Sequence, residues 1–123
     1  MADVGEKDLT GITELHALLG RGTELVGKLV FEGRVRVDGK VRGDIVGDGV
    51  LILGPTAEVH ASIDVAALIV RGGAVYGNVK AKRSVELYAP ARVLGDISTQ
   101  QLYLEKGVIF EGKSIVLETP EAG

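Results

Sequence analysis

Cysteine and tryptophan are missing from the chain altogether, and no apolar run approaches the roughly 18 residues that a membrane-spanning helix needs. Without cysteine there is neither a disulfide framework nor a thiolate metal site. His16 and His60 are the only imidazoles, and no carboxylates stand at a spacing that would complete a zinc set with them, so no metal and no cofactor is expected. Aromatic residues are scarce too, with two Phe and three Tyr, which leaves Val, Ile, Leu and Ala to build the core. No excess of one charge exists either: the net charge is -3, against the strongly basic face that duplex binding draws on, so nucleic acid is not an expected partner. Met1 to Leu9 is acidic, without the apolar centre of a secretory signal. The sum of these absences is the expectation of a soluble intracellular protein.

What the chain has in plenty is glycine, 18 of 123 residues, about twice the usual ~7% share. Much of it follows a pattern. The segments Leu25 to Leu29, Val41 to Ile45, Val59 to Ile63, Val75 to Val79, Val93 to Ile97 and Phe110 to Ser114 each open on an apolar residue and carry Gly or Ala at the centre. All but the last also close on an apolar residue. The centres Gly27, Gly43, Ala61, Gly77, Gly95 and Gly112 are spaced by 16, 18, 16, 18 and 17 residues. Helical repeats need about 33 to 47 residues for two or three helices, so this period is too short for them.

Strands fit the period. A second apolar pair, two residues apart, precedes each pentapeptide: Leu51 and Leu53, Ala67 and Ile69, Val85 and Leu87, Leu102 and Leu104, with Gly33 and Val35 as the early case. Spacing by two is that of a strand with one buried face. Val35, Leu53, Ile69, Leu87 and Leu104 each stand six residues before the next pentapeptide. Phe31, Val65, Ala81 and Val116 suggest a third inward side, which Gly47 and Thr99 fill poorly. Three short sides per turn make a coil of triangular cross-section. The expected fold is therefore all-β, a single-stranded parallel β-helix (β-solenoid) of about six turns of 16 to 18 residues. At the ~4.8 Å spacing of paired strands it is a rod of about 25 to 30 Å. Its internal stack is expected to hold Val41, Gly43, Ile45, Val59, Ile63, Val75, Val79, Val93 and Ile97.

Motifs with catalytic potential dissolve on inspection. His60 lies between two inward positions and is expected to point outward. The stretch Gly43 to Gly49 has the glycines of a phosphate loop but neither the Lys-Ser/Thr nor the helix that should follow. Asp44, Asp64 and Asp96, interrupted by Asn78, read as corner residues bonding backbone amides rather than as a cation ladder. Acyltransferase solenoids run in multiples of six with protruding loops and a catalytic His, whereas these repeats alternate near 16 and 18 without an inserted loop. The chain is expected not to be an enzyme. The basic residues between Arg21 and Arg42, including Arg34 and Arg36, read as a solvated face.

A solenoid has two open ends, and soluble monomeric ones cover them with polar caps. Here the last turn presents Leu102, Leu104 and Phe110, and the first presents Leu19, Leu25, Leu29 and Phe31, so the rod ends are the expected self-contacts. Residues 17–117 are expected to form the rod, with Ala17 to Leu19 as its opening strand rather than part of a helix that includes Ile12 and Leu15. Residues 1–16 and 118–123 are expected to be flexible tails. A capped small oligomer that binds partner peptides is the alternative.

The segments Leu19 to Thr23, Val26 to Leu29, Val37 to Ile45, Gly77 to Val79 and Leu104 to Gly112, with the latter's Phe110-Glu111-Gly112 ending, resemble the bactofilin family of bacterial cytoskeletal proteins. The resemblance runs from about Leu18 to Ser114. It implies a right-handed β-helix that polymerises without nucleotide into non-polar filaments, with Phe110 at a subunit contact. It also implies peripheral association with the inner face of the cytoplasmic membrane through the N-terminal tail, here Met1, Val4, Leu9 and Ile12. Cell-wall or cytoskeletal proteins are the partners implied, in support of cell shape. The tail departs from the family in being short and acidic, and only Pro120 remains of the family's proline-rich C-terminal extension.

Overall fold

The structure is a computed structural model that describes residues 17–117. Its elements are all strands: β1 (Ala17–Leu19), β2 (Glu24–Val37), β3 (Lys40–Leu53), β4 (Glu58–Arg71), β5 (Ala74–Tyr76), β6 (Val79–Tyr88), β7 (Arg92–Leu94), β8 (Ile97–Leu104), β9 (Ile109–Glu111) and β10 (Ser114–Val116). Every pairing is parallel and joins a strand to one a turn away, as in β2 with β3, β3 with β4, β4 with β5 and β6, and β6 with β8. The result is the expected parallel β-solenoid. In the early turns one strand runs around a whole circuit; later ones break at Gly77 and Gly95 into a short first side (β5, β7, β9) and a longer remainder.

The register reproduces the glycine spacing. Gly27 pairs with Gly43, and Gly43 with Ala61, and the steps of 16 and 18 persist in Val59 to Val75 and Val75 to Val93. Inward residues stack in columns: Val41, Val59, Val75 and Val93 in one, Ile45, Ile63, Val79 and Ile97 in another, all at most 2% exposed. A one-residue slip would turn either column into solvent.

Gly43 departs from the expected stack. It is exposed, at a corner between inward Val41 and Ile45, and its φ of 130° lies where L side chains are strained. A Cβ there would strike the carbonyl oxygen of Gly27 one turn below. The same collision recurs at Gly95 against Gly77, so the glycines mark a corner where successive backbones touch. They do not thin the core.

The side of the paired apolar residues, third in the order of each circuit, also differs in phase from the expectation. Its inward columns are Val35, Leu51, Leu68, Val85 and Leu102, and beside them Leu19, Val37, Leu53, Val70, Leu87 and Leu104. Leu68 and Val70 are fully buried whereas Ile69 is half-buried on the outer face, and Val37 takes the place expected of Val35. A constant six-residue corner is the assumption that fails. Val41 follows Val37 by four residues, Val75 follows Val70 by five, and Val59 follows Leu53 by six. The corner absorbs the difference without disturbing the stack. Turn hydrogen bonds close it, among them Ala57 N to Gly54 O at 3.1 Å and Ala91 N to Tyr88 O at 2.9 Å.

The remaining column explains its two poor members. Phe31 is 9% exposed and its ring fills the space over Gly47, where any Cβ would meet it. Large and absent side chains thus complement each other in adjacent turns. Thr99 is 1% exposed among Val65, Ala81 and Val116 of the same column, and its Oγ1 has no hydrogen-bond partner.

Two stability outcomes follow from this packing. Thr99→Val should raise unfolding free energy by about 1 kcal/mol, because it removes an unsatisfied buried hydroxyl at nearly constant volume. Gly95→Val should lower it by about 3 kcal/mol through backbone strain and collision with the turn below. Denaturant titration followed by circular dichroism measures both, with unchanged Thr99→Val stability as the contrary result.

Candidate functional site

The lateral faces hold polar groups in local pairs. His60 Nε2 and Glu58 Oε2 are 2.8 Å apart, and the imidazole stacks on Tyr76 with centroids 4.6 Å apart and planes at 17°. This hydrogen bond, with the nearby charges of Lys40 and Arg42 adding to it, holds the Glu58 carboxyl below its ordinary range. Tyr88 donates to Glu86 Oε1 at 2.6 Å, lies under the Arg71 guanidinium at 5.0 Å and tilts against Tyr103. Donation to that carboxylate pushes the Tyr88 phenol above its ordinary value. Neither group sets a nucleophile beside a base. Among the described residues no three His, Cys, Asp or Glu gather as a metal set.

Of the corner aspartates, Asp96 bonds backbone. Asp96 Oδ1 accepts from Lys113 N at 2.9 Å, and Asn78 Oδ1 accepts from Asp96 N at 3.0 Å, so each ties one turn to the next. Asp64 is not in that series. It pairs with Val46 and Lys80, and Ser62 stands across from Asp44.

Unsatisfied surface concentrates instead at the two ends. At the first, residues Glu24 to Arg34 of β2 have β3 on one side and no strand on the other among the described residues, since β1 covers only Val35 to Val37. Leu19, Leu25 and Leu29 are half-buried on this end, packed against the core from one side. Phe31, expected beside them, is turned into the core over Gly47, so an incoming chain would meet little more than its edge. Leu18, Val26 and Val30 around this end are exposed, the last two by 72% and 67%.

At the other end β8 is paired below by β6 along its length, but above only through Ile97 to Thr99, by β10. The edges of Gln101 to Leu104, β9 and β10 therefore carry no further strand among the described residues. Leu102 and Phe110 are half-buried, Leu104 is exposed, and all three lie in the last layer of their columns. Ile109, Ile115 and Val116 extend this apolar end although the pentapeptide pattern did not single them out as contacts. Val116 stands above Thr99 in the inward column to which the sequence assigned it, in the last layer. The tail residues Met1, Val4, Leu9 and Ile12 lie outside the described residues. Each end thus combines open backbone donors and acceptors with a half-covered apolar layer, a template for adding strands.

Comparison with known proteins agrees with this geometry. Residues 17–115 match the family described as "Bactofilin: Polymer-forming cytoskeletal". Bactofilin BacP of Myxococcus xanthus is 32% identical over 98 residues, which are 80% of this chain and 40% of that protein; the chain thus spans well under half the length of this relative. A cryo-EM reconstruction of Thermus thermophilus bactofilin double helical filaments superposes with a TM-score of 0.76 at 33% identity, over 82% of this chain and 99% of that one. A crystal structure of a Phe→Arg mutant of the Thermus protein has a TM-score of 0.67 at 33% identity, covering 72% of this chain and 98% of that one.

Proposed function

Because the chain belongs to the bactofilin family, we propose that it is a non-enzymatic cytoskeletal scaffold whose rods join end to end, without nucleotide, into filaments. The observation that supports this best is the pair of ends left without a cap among the described residues. Both expose strand edges and apolar side chains that only another layer of β-structure would cover. Leu102, Leu104 and Phe110 form one joint and Leu19, Leu25 and Leu29 the other, with the edge of Phe31. Like ends meet like, and two such two-fold contacts in alternation build a filament without polarity. The polymerising unit is residues 17–117, with 1–16 and 118–123 as tails.

The filament lies against the inner face of the cytoplasmic membrane, held by Met1, Val4, Leu9 and Ile12 of each tail. So few apolar groups among Asp3, Glu6 and Asp8 bind weakly in one copy, and repetition along a polymer supplies the avidity. Cell-wall or cytoskeletal proteins placed along this scaffold would serve cell shape.

Negative-stain electron microscopy of the purified chain in nucleotide-free buffer, at two concentrations, tests the central claim. Filaments one rod wide or a small multiple of it are expected. Particles of fixed small size at both concentrations would favour the capped adaptor instead. Phe110→Arg should keep the β-strand circular dichroism and abolish sedimentable polymer, because an unpaired guanidinium would be buried in the joint; long polymers in this variant would remove Phe110 from the contact. For the tail, Leu9→Asp with Ile12→Asp should release filaments from anionic vesicles in a flotation assay without shortening them. Retained flotation would move the lipid contact elsewhere on the rod.

A further inference from the structure

The last turn of the rod is incomplete. Its first side is β9, stacked on β7, and its second is β10, stacked on Ile97 to Thr99 of β8. On the third side the uppermost strand among the described residues is Gln101 to Leu104, one layer lower, stacked on Ser84 to Leu87. The end is therefore stepped, and the step leaves Leu102 half-buried, Leu104 44% exposed and Tyr103 51% exposed. The chain is aimed into this step. Val116 stands over Thr99, and Leu117 N donates to Thr99 O at 2.7 Å, so the backbone is still on the β8 ladder where its described part stops.

The sequence that follows fits the step in one register. Between the last inward residue of the second side and the first outward residue of the third, successive turns place Glu32-Gly33, Asp48-Gly49, Ala66, the bulge Lys82-Arg83, and Gln100, so this corner takes one or two residues. A one-residue corner at Leu117 would set Glu121 inward on Leu104, an unpaired carboxylate on an apolar layer. A two-residue corner, Leu117-Glu118, sets Pro120 over Leu102 and Ala122 over Leu104, with Thr119 and Glu121 outward over Gln101 and Tyr103. Pro and Ala inward with Thr and Glu outward is the alternation of a half-buried strand. Proline is tolerated there because the strand would be an edge.

We propose that residues 118–123 dock in this step as an edge strand on Gln101 to Leu104 and hold the end closed against a second rod. This regulation rests on the end-to-end assembly proposed above. Docked, the segment covers Leu102 and Leu104, which the joint uses, with the small side chains of Pro120 and Ala122. Pro120 brings no N–H, and Glu118 and Glu121 bring charge, both features of edges that do not take a further strand. In a two-fold contact the same residues meet across the axis, so closed ends set like carboxylates against each other. An end joins another only with its segment lifted. The segment and the second rod compete, and the apparent affinity of the joint falls by the open fraction once for each copy; ends open half of the time weaken it about fourfold. Docking thus sets the concentration at which rods assemble.

A disulfide staple tests this in the full-length chain, which has no cysteine of its own. Tyr103→Cys with Glu121→Cys puts two outward residues on adjacent strands about 4.8 Å apart, inside the roughly 4.4–6.8 Å that a disulfide spans between Cα atoms. Oxidation is expected to close the bond within one chain, read on a non-reducing gel, and to abolish sedimentable polymer, which reduction restores. In a second variant, Pro120→Asn with Ala122→Asn sets amides on the apolar layer and releases the segment. Its critical concentration for sedimentation should fall about fourfold or more below that of the wild type. A staple that forms only between chains, or not at all, overturns the docking. A stapled chain that sediments like the reduced one, or an unchanged critical concentration in the asparagine variant, overturns the competition. Absence of polymer in the wild type, the reduced staple and the asparagine variant alike would overturn the end-to-end reading instead, a separate failure, since closure of the staple within one chain is read without polymer.

Discussion

Parallel stacking of each turn on the one below is the constraint from which the rest follows. A strand of this solenoid receives half of its ladder bonds from the turn beneath and gives half to the turn above, and its side chains meet mainly their own counterparts in those two turns. Columns such as Val41, Val59, Val75 and Val93 survive because each member repeats the shape of its neighbours. Where shape is not repeated it is compensated, as Phe31 over Gly47. Variation is pushed to the corners, where Asn78 and Asp96 tie amides of the next turn and loops of different length fit the same sides.

The same constraint has no internal way of ending. Among the described residues the middle turns are paired on both sides and one edge of the first and last turns is open, so the apolar layers there are covered from one side only. Apolar layers around Leu25 and Leu29 at one end and Leu104, Phe110 and Val116 at the other make the open edges adhesive. Stability and assembly are therefore one physical problem here: covering an end does for the terminal turn what its neighbours already do for the interior ones. End-to-end growth as proposed would need no bound nucleotide, because the layer burial that folds the chain would also drive it.

The lateral faces follow other rules. Outward side chains are free of the column constraint, and on them the chain places pairs that satisfy each other locally, such as His60 with Glu58 and Tyr88 with Glu86. Glu32, Asp48, Lys82 and Arg83, at the corners, have no such side-chain partner among the described residues.

The repeat by itself determined the architecture. Apolar positions recurring every 16 to 18 residues admit one arrangement that buries them all, and the glycine order fixed which turns stack on which; the incomplete burial of Leu102, Leu104 and Phe110 follows from their place in the final turn. Phase within the third side was decided only by the tertiary structure. Leu68 and Val70 rather than Ala67 and Ile69 face inward because corner lengths differ from turn to turn, and a corner leaves no periodic signal. Gly43 proved to be a corner for a related reason: whether glycine thins a core or lets two backbones touch depends on φ and on the carbonyl of Gly27, which belongs to another turn. Phe31 reads as an end residue in sequence, since nothing local reveals that Gly47 leaves room for its ring. The bulge at Lys82 and Arg83 was equally hidden, being defined only against Ala66 and Gln100 in the turns on either side. Period is a property of the chain, but facing is a relation between turns.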